Sequence, residues 1–382
     1  MRIAIINLTA GGISRGYRKY LQNVLPRLTA HSDIEAILCA SPPSIDIQDW
    51  FGFLPKIRFI DCKPFNFIYY APEPELKKTL EIFSPDVIFI PVERYFKYNR
   101  VPIVNMIQNM EPFADNLNEN FFNKRRLYIQ YIVARRAIKK SDRVIAISRY
   151  VKEFLSYKWN IPKEKIGLVY HGIELPQLKE YIRPKNIPKD WEGNFLFTAG
   201  SIRPARGLED VLWAMKYLVL EKVNIKGLVI AGETESRMIS YRKKLEKWIK
   251  LYGLSSKIYW AGKLSEKEMS WCYRNCKIFV MTSRVESFGM IAGEAMAHGC
   301  ICISADNPCL PEIFGDAAIY YPPKDSQSLA KTIKSVFNWD SWQREKMAER
   351  ARNWVAEFSW DICAESTVRE LVKVSRNSKS NR

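Results

Sequence analysis

Short apolar runs alternate with longer segments of helical spacing along the whole chain. Apolar runs at 3–8, 34–39, 86–91, 102–107, 142–148 and 166–170 are too short for helices and carry few internal charges. Such runs read as strands buried on both faces, which is the signature of a parallel sheet. Between them, 17–28, 75–83, 124–140 and a segment ending near Tyr157 place apolar residues three or four positions apart, as helices do. Loops and short strands fill 41–74.

The alternation breaks at 179–191, a charged, proline-containing stretch that reads as a linker. It then restarts. Strands are expected at 194–200, 227–232, 257–262, 278–281 and 300–303. Helices are expected at 208–220, 237–251, 266–275, 326–337, 339–358 and 359–375, with 307–312 as a turn and 375–382 as a disordered polar tail. Strand–helix alternation in both halves predicts an α/β protein with two Rossmann-like domains, their parallel sheets facing a cleft. Domain one spans 1–180 and domain two 191–358; a chain of 382 residues suits two cores better than one.

Composition narrows the classes. No run approaches the ~20 apolar residues of a membrane span, and the strand-like N-terminus does not read as a signal peptide. Eight scattered cysteines without a CxxC pair, and only three histidines, argue against a zinc site and agree with a reducing, cytoplasmic setting. The formal charge of +18 favours anionic partners. It is spread over both halves and accompanies no nucleic-acid motif, so no nucleic-acid partner is expected. Cations are densest at 124–140, where Lys124, Arg125, Arg126, Arg135, Arg136, Lys139 and Lys140 alternate with apolar and aromatic residues. That pattern fits a helix lying on an anionic membrane at its inner face, or an ordinary half-buried helix with solvated cations.

Candidate chemistry gathers in the second half. Glu286 and Glu294 are separated by eight positions, with Ser287-Phe288-Gly289-Met290 between them and Gly299 beyond. If Glu286 precedes a helix that contains Glu294, both can face one site at the carboxyl edge of a sheet. The helix start then offers unsatisfied amides and a positive dipole end to an anion. Gly299 suits the left-handed residue after the helix. Arg203 and Arg206 follow the second domain's first strand, where two guanidiniums suit a diphosphate. In the first half, Gly11 and Gly12 form a glycine turn without GxGxxG spacing, and Gln108 and Asn109 end a strand where open sheets bind ligands.

Together these stretches resemble the GT-B glycosyltransferases of the large retaining group called family 4. Residues 200–207 look like that family's phosphate loop, Glu286 to Glu294 like its Glu-x7-Glu motif, and Pro311-Glu312 with Gly315-Asp316-Ala317-Ala318 also fits. Gly11-Gly12, 141–148 and His171-Gly172-Ile173-Glu174 are further family-like landmarks. The resemblance implies transfer of a sugar, with retention, from a nucleotide-diphosphate sugar to a glycan or lipid-linked acceptor in surface polysaccharide or glycolipid synthesis. The donor is a substrate, and no cofactor is expected. Glu294 would hold the ribose and Arg203 and Arg206 the diphosphate. Glu286 and the Phe288 and Gly289 amides would hold the sugar, and Gly262, Lys263 and Leu264 would lie near the base. The last helix, 359–375, would return to the acceptor domain.

Two departures stand out. The family usually carries Lys at position 206, and often His in the loop that here reads Gln108-Asn109, where neither side chain can carry a proton. No Asp-x-Asp occurs, which favours a metal-independent reaction. A double displacement lacks a clear carboxylate, Glu111 and Asp115 being only nearby, so front-face attack is expected. The remaining alternative is a sugar-nucleotide-binding protein of the same architecture with an epimerase-like or non-catalytic role.

Overall fold

The computed structural model describes residues 1–8, 15–64, 72–98, 101–114, 121–176 and 180–380. They form two compact units. The first holds Met1–Phe113 and Asn120–Gly172 together with the C-terminal segment, and the second is built on Ile173–Phe358.

In the first unit the order is β1 (Arg2–Ile6), α1 (Arg15–Ala30), β2 (Ala36–Ser41), β3 (Ile57–Asp61), α2 (Pro74–Phe83), β4 (Val87–Ile90), β5 (Ile103–Ile107), α3 (Phe121–Lys140), β6 (Arg143–Ala146), α4 (Arg149–Trp159) and β7 (Ile166–Leu168). The seven strands make one parallel sheet in the order β3-β2-β1-β4-β5-β6-β7. Every residue of β4 and β5 is buried, as the apolar run of β4 and the nearly apolar run of β5 require, Asn105 being the one polar residue of β5. Local signals set the ends of α4. Ser148 caps it by accepting from the Val151 amide, and Asn160 ends it in the left-handed conformation.

The second unit continues with β8 (Phe195–Ala199), α5 (Leu208–Leu220), β9 (Gly227–Ala231), α6 (Ile239–Leu251), β10 (Ile258–Gly262), α7 (Glu266–Asn275), β11 (Ile278–Met281), α8 (Met290–Ala297), β12 (Cys302–Ala305), α9 (Cys309–Phe314), β13 (Ile319–Tyr321), α10 (Ser326–Phe337) and α11 (Ser341–Ala356). Its six parallel strands lie in the order β10-β9-β8-β11-β12-β13. Leu196, Ile230, Val280 and Ile303 from the sheet pack with Val211, Met215 and Leu245 from the helices in one core. Fully burying each such side chain contributes roughly 1.5–3 kcal/mol.

The last helix, α12 (Trp360–Ser380), belongs to the first unit. Trp360, Cys363, Ala364, Val368 and Leu371 form its buried stripe, and the Thr367 hydroxyl lies 3.3 Å from that of Tyr20 on α1.

Two expectations change. Residues 307–312 are not simply a turn, because α9 begins at Cys309: Pro311 falls in its first turn, where a missing N–H costs nothing. The chain beyond Ser375 is not an irregular tail, since α12 runs on to Ser380.

Candidate active site

Strand order places the site. In the second sheet the order reverses between β8 and β11, and ligands of open α/β sheets bind outside the carboxyl ends of strands at such a switch point. Arg203 and Arg206 leave β8 there, and Glu286 leaves β11. A short 3-10 turn, Pro204–Arg206, carries the first loop into α5.

The two loops are joined by their own backbone. The Arg284 amide donates to the Ala205 carbonyl at 2.8 Å, and the Thr282 hydroxyl donates to the Arg206 carbonyl at 2.7 Å. Gly207 makes this approach possible. It is left-handed at φ +59°, and a Cβ there would lie 2.3 Å from the Thr282 carbonyl oxygen. Asn307 ties the second loop down from β12's side, donating to the Arg284 carbonyl at 2.6 Å and the Ser283 carbonyl at 3.3 Å.

Side chains complete the junction. The Arg206 guanidinium bonds the Glu286 carboxylate and donates to the Ser283 hydroxyl at 3.0 Å. Both partners are half-buried, so screening by water is limited. Beneath them, Arg284 forms a two-pronged pair with Asp210 of α5. Asp210 also accepts from the Tyr321 hydroxyl and the Lys324 amide, each at 3.0 Å. Its side chain is 3 % exposed. Burial alone would depress the ionisation of Arg284; the bonds to Asp210 outweigh it and hold the guanidinium more firmly charged than usual. The Tyr321 phenol is pushed far up, first by burial and then by the Asp210 charge.

The helix after Glu286 starts as its spacing predicts. Gly289 caps α8 at φ +89°, and a Cβ there would lie 2.6 Å from Leu310 Cδ2. Ser287 and Phe288 are buried, Phe288 edge-on to Phe358 with centroids 5.6 Å apart. Met290 opens the helix and half-buried Glu294 lies within it. Gly299, at φ +82°, follows its end. Two strands along the same edge, Gly262 ends β10 and its carbonyl accepts from the Gly232 amide at 2.7 Å. Lys263 pairs with Glu233 at 3.6 Å in solvent, and Leu264 is buried.

Arg203, Arg206, Glu286, Ser287–Met290 and Glu294 thus gather at one edge of the second unit. Gln108 and Asn109 lie in the first unit, after β5, and Gly11 and Gly12 fall outside the described residues. Asp115 also falls outside them. Sequence reading gave no role to Asp210, Ser283, Arg284 or Asn307. Arg284 opens the Glu286 stretch, so a polar run straight after a buried strand was the available signal. Asp210 offered none, because its partner is 74 residues away. Among the described residues no group of three or more His, Cys, Asp or Glu side chains could hold a metal, and no helix is long and apolar enough to cross a membrane.

Two arginines, a helix start and two carboxylates along one parallel-sheet edge are groups that suit phosphorylated, hydroxyl-rich ligands. Comparison with known proteins is more specific. Residues 14–177 match the model of Glycosyltransferase Family 4, and residues 180–354 that of Glycosyl transferases group 1. The O-antigen chain mannosyltransferase RfbU of Salmonella typhimurium is 21 % identical over 371 residues, covering 94 % of this chain and 96 % of that protein. The serotype-specific mannosyltransferase WbdA of Escherichia coli is 24 % identical over 250 residues, 63 % of this chain but 30 % of that longer protein. The crystal structure of Anabaena Alr3699/HepE in complex with UDP-glucose superposes with a TM-score of 0.75 at 16 % identity, over 98 % of this chain and all of that one. The chain belongs to the group 1 glycosyltransferases, with the GT-B fold, and is a glycosyltransferase enzyme.

Proposed function

We propose that the chain moves a hexose from a nucleotide-diphosphate sugar to a glycan or lipid-linked acceptor, with retention and without a bound metal. The observation that carries this reading is the junction of the two loops. It joins Arg206 to Glu286, on the loop that runs into the α8 start, with Arg203 three positions back along the same β8 loop. Departure of a nucleoside diphosphate builds negative charge on the leaving phosphate while the sugar becomes cationic. Fixed guanidiniums and helix amides stabilise the first, and they need no reorganisation as the bond breaks. Glu286 and the amides of Phe288 and Gly289 hold the sugar hydroxyls. Glu294 takes the ribose hydroxyls, and the Gly262–Leu264 turn flanks the base. The acceptor hydroxyl attacks from the leaving group's side and passes its proton to the departing phosphate.

The relatives RfbU and WbdA, an O-antigen chain and a serotype-specific mannosyltransferase by name, support a place in surface polysaccharide or glycolipid assembly, with mannose the first sugar to test. The basic face of α3 supports work on the cytoplasmic side of an anionic membrane. A melting-temperature screen of nucleotide sugars tests the donor reading. One should stabilise the protein by mass action, by about 2.7 kcal/mol at a hundred times its Kd, and Glu294→Ala should abolish the shift. No stabilisation by any nucleotide sugar, with no sugar released to water, would overturn it.

A further inference from the structure

The first unit has a switch point of its own, between β1 and β4, and one ionisable side chain there has no part in the reading above. Glu93 follows β4 on a turn fixed from β5. The Asn105 side-chain amide donates to the carbonyls of Ile90, Val92 and Arg94, at 3.4, 2.9 and 2.6 Å. The Gln108 side chain donates to the Pro91 carbonyl at 3.0 Å, and the Gln108 backbone amide donates to Glu93 Oε1 at 3.1 Å. One side chain from β5 and one just beyond it thereby fix the turn that carries Glu93. Asn7, at the end of β1, accepts from the Tyr17 hydroxyl beside it. Ionisation of that phenol is pushed up by burial and then by neighbours that include Glu93.

This arrangement changes what Gln108 and Asn109 do. Gln108 turns its amide inward to Pro91, and Asn109 Oδ1 accepts from the Glu111 amide at 3.0 Å. Their polar ends shape the loop, and the half-buried carboxyl of Glu93 is the ionisable group they hold at the sheet edge. Burial raises the carboxyl's pKa, against the opposing effects of the Arg94 charge and of backbone amides that include Gln108's. Glu93 is thus held half-buried at a switch point, the part of an open α/β sheet where ligands bind.

The geometry points to Glu93 as the acceptor-recognition residue: its carboxylate receives hydrogen bonds from hydroxyls of an acceptor sugar seated at the β1/β4 edge. This rests on the transferase reading, and it adds the group that meets the acceptor. It involves no covalent step at Glu93. A carboxylate accepts from two adjacent hydroxyls, so the ligand class is a sugar ring with a free diol.

The test uses the full chain, the nucleotide sugar that raises its melting temperature most, and octyl glycosides of mannose, glucose, galactose and N-acetylglucosamine as acceptors. Sugar release to water in the absence of acceptor reads the donor site; transfer to the best glycoside reads both sites. Glu93→Gln keeps an oxygen for the Gln108 amide and removes the charge. The ratio of transfer to hydrolysis should fall by about tenfold or more, the scale of one charged hydrogen bond, through a higher KM for the glycoside, while the melting temperature at neutral pH holds or rises. A transfer-to-hydrolysis ratio within twofold of wild type overturns the proposal and leaves the donor reading standing. A parallel fall in transfer, hydrolysis and melting temperature overturns it in favour of a structural role. A wild type that hydrolyses donor but glycosylates none of the four glycosides removes the acceptor class proposed here; one that does neither removes the transferase reading as well.

Discussion

Arg206 and Glu286, eighty positions apart in the chain, are bonded to each other at the carboxyl edge of the second sheet. In the donor-bound state each would face a different part of the substrate, the diphosphate and the sugar. In that reading their mutual bond would hold both side chains in place before a donor arrives, and less ordering would remain to be done on binding. Arg206→Ala should slow transfer by ~10²-fold or more, the usual scale for losing a group that stabilises developing charge. Arg206→Lys, which keeps the charge but not the fork, should fall between. Because each residue positions the other, Arg206→Ala combined with Glu286→Gln should cost less than the product of the single effects. Steady-state kinetics on the four proteins decides this; strictly multiplicative effects would separate the two residues.

The Asp210–Arg284 pair beneath them makes a different prediction. Asp210 is a buried carboxylate that accepts from Arg284, Tyr321 and the Lys324 amide. Asp210→Ala leaves a half-buried guanidinium without that partner, a change worth on the order of 3–5 kcal/mol. Urea unfolding should show that loss in the second unit. Donor KM should rise too in the protein that remains folded, since Arg284 also holds the Ala205 carbonyl. A stability loss below about 1 kcal/mol, the scale of an exposed pair, would mean that water reaches the pair.

How much of this was legible in the chain follows from the range of each interaction. Strands such as 278–281 and helices such as 208–220 were read to the residue, because an unbroken apolar run and a 3.6-residue period are local signals. Glu286, Gly289 and Glu294 were legible as a motif because all three lie within one turn and one helix. The partners were not. Arg206 to Glu286, Arg284 to Asp210 and Glu93 to Gln108 depend on strand order, which no local pattern encodes. The pattern of 307–312 is ambiguous for a physical reason: a proline in the first turn of a helix, as Pro311 is in α9, looks the same in sequence as one in a turn.

The helix α3 exposes Tyr128, Ile129 and Ile132, at 64, 42 and 37 %, on the same helix as exposed Lys124, Arg125, Arg136, Lys139 and Lys140. Exposed apolar side chains flanked by cations suit the interface of an anionic bilayer. The protein should sediment with phosphatidylglycerol vesicles at low salt and less so at 0.5 M salt, where screening shortens the reach of charge. Ile129→Ser with Ile132→Ser should weaken sedimentation without moving the melting temperature. Equal sedimentation with neutral vesicles would exclude the electrostatic part, and none with anionic vesicles would make α3 an ordinary solvated helix.

His171 should make the first unit sensitive to acid. Its ring is 2 % exposed, 5.2 Å from the Tyr20 ring and 5.8 Å from that of Trp360 by centroid. Burial lowers its pKa from the usual 6.5 to about 3. Between those values the unfolded chain binds a proton that the folded chain refuses, so acid favours unfolding. The stability that the neutral ring contributes is fully present above about pH 6.5 and is lost progressively down to about pH 3, at up to about 1.4 kcal/mol per pH unit. Thermal unfolding from pH 7.5 to 4.5 should therefore show a slope that His171→Met reduces, even though the variant starts lower at pH 7.5 through imperfect packing. Wild type and variant falling in parallel over that range would mean that the ring is protonated in the folded protein, and that Tyr20 and Trp360 leave room for water beside it.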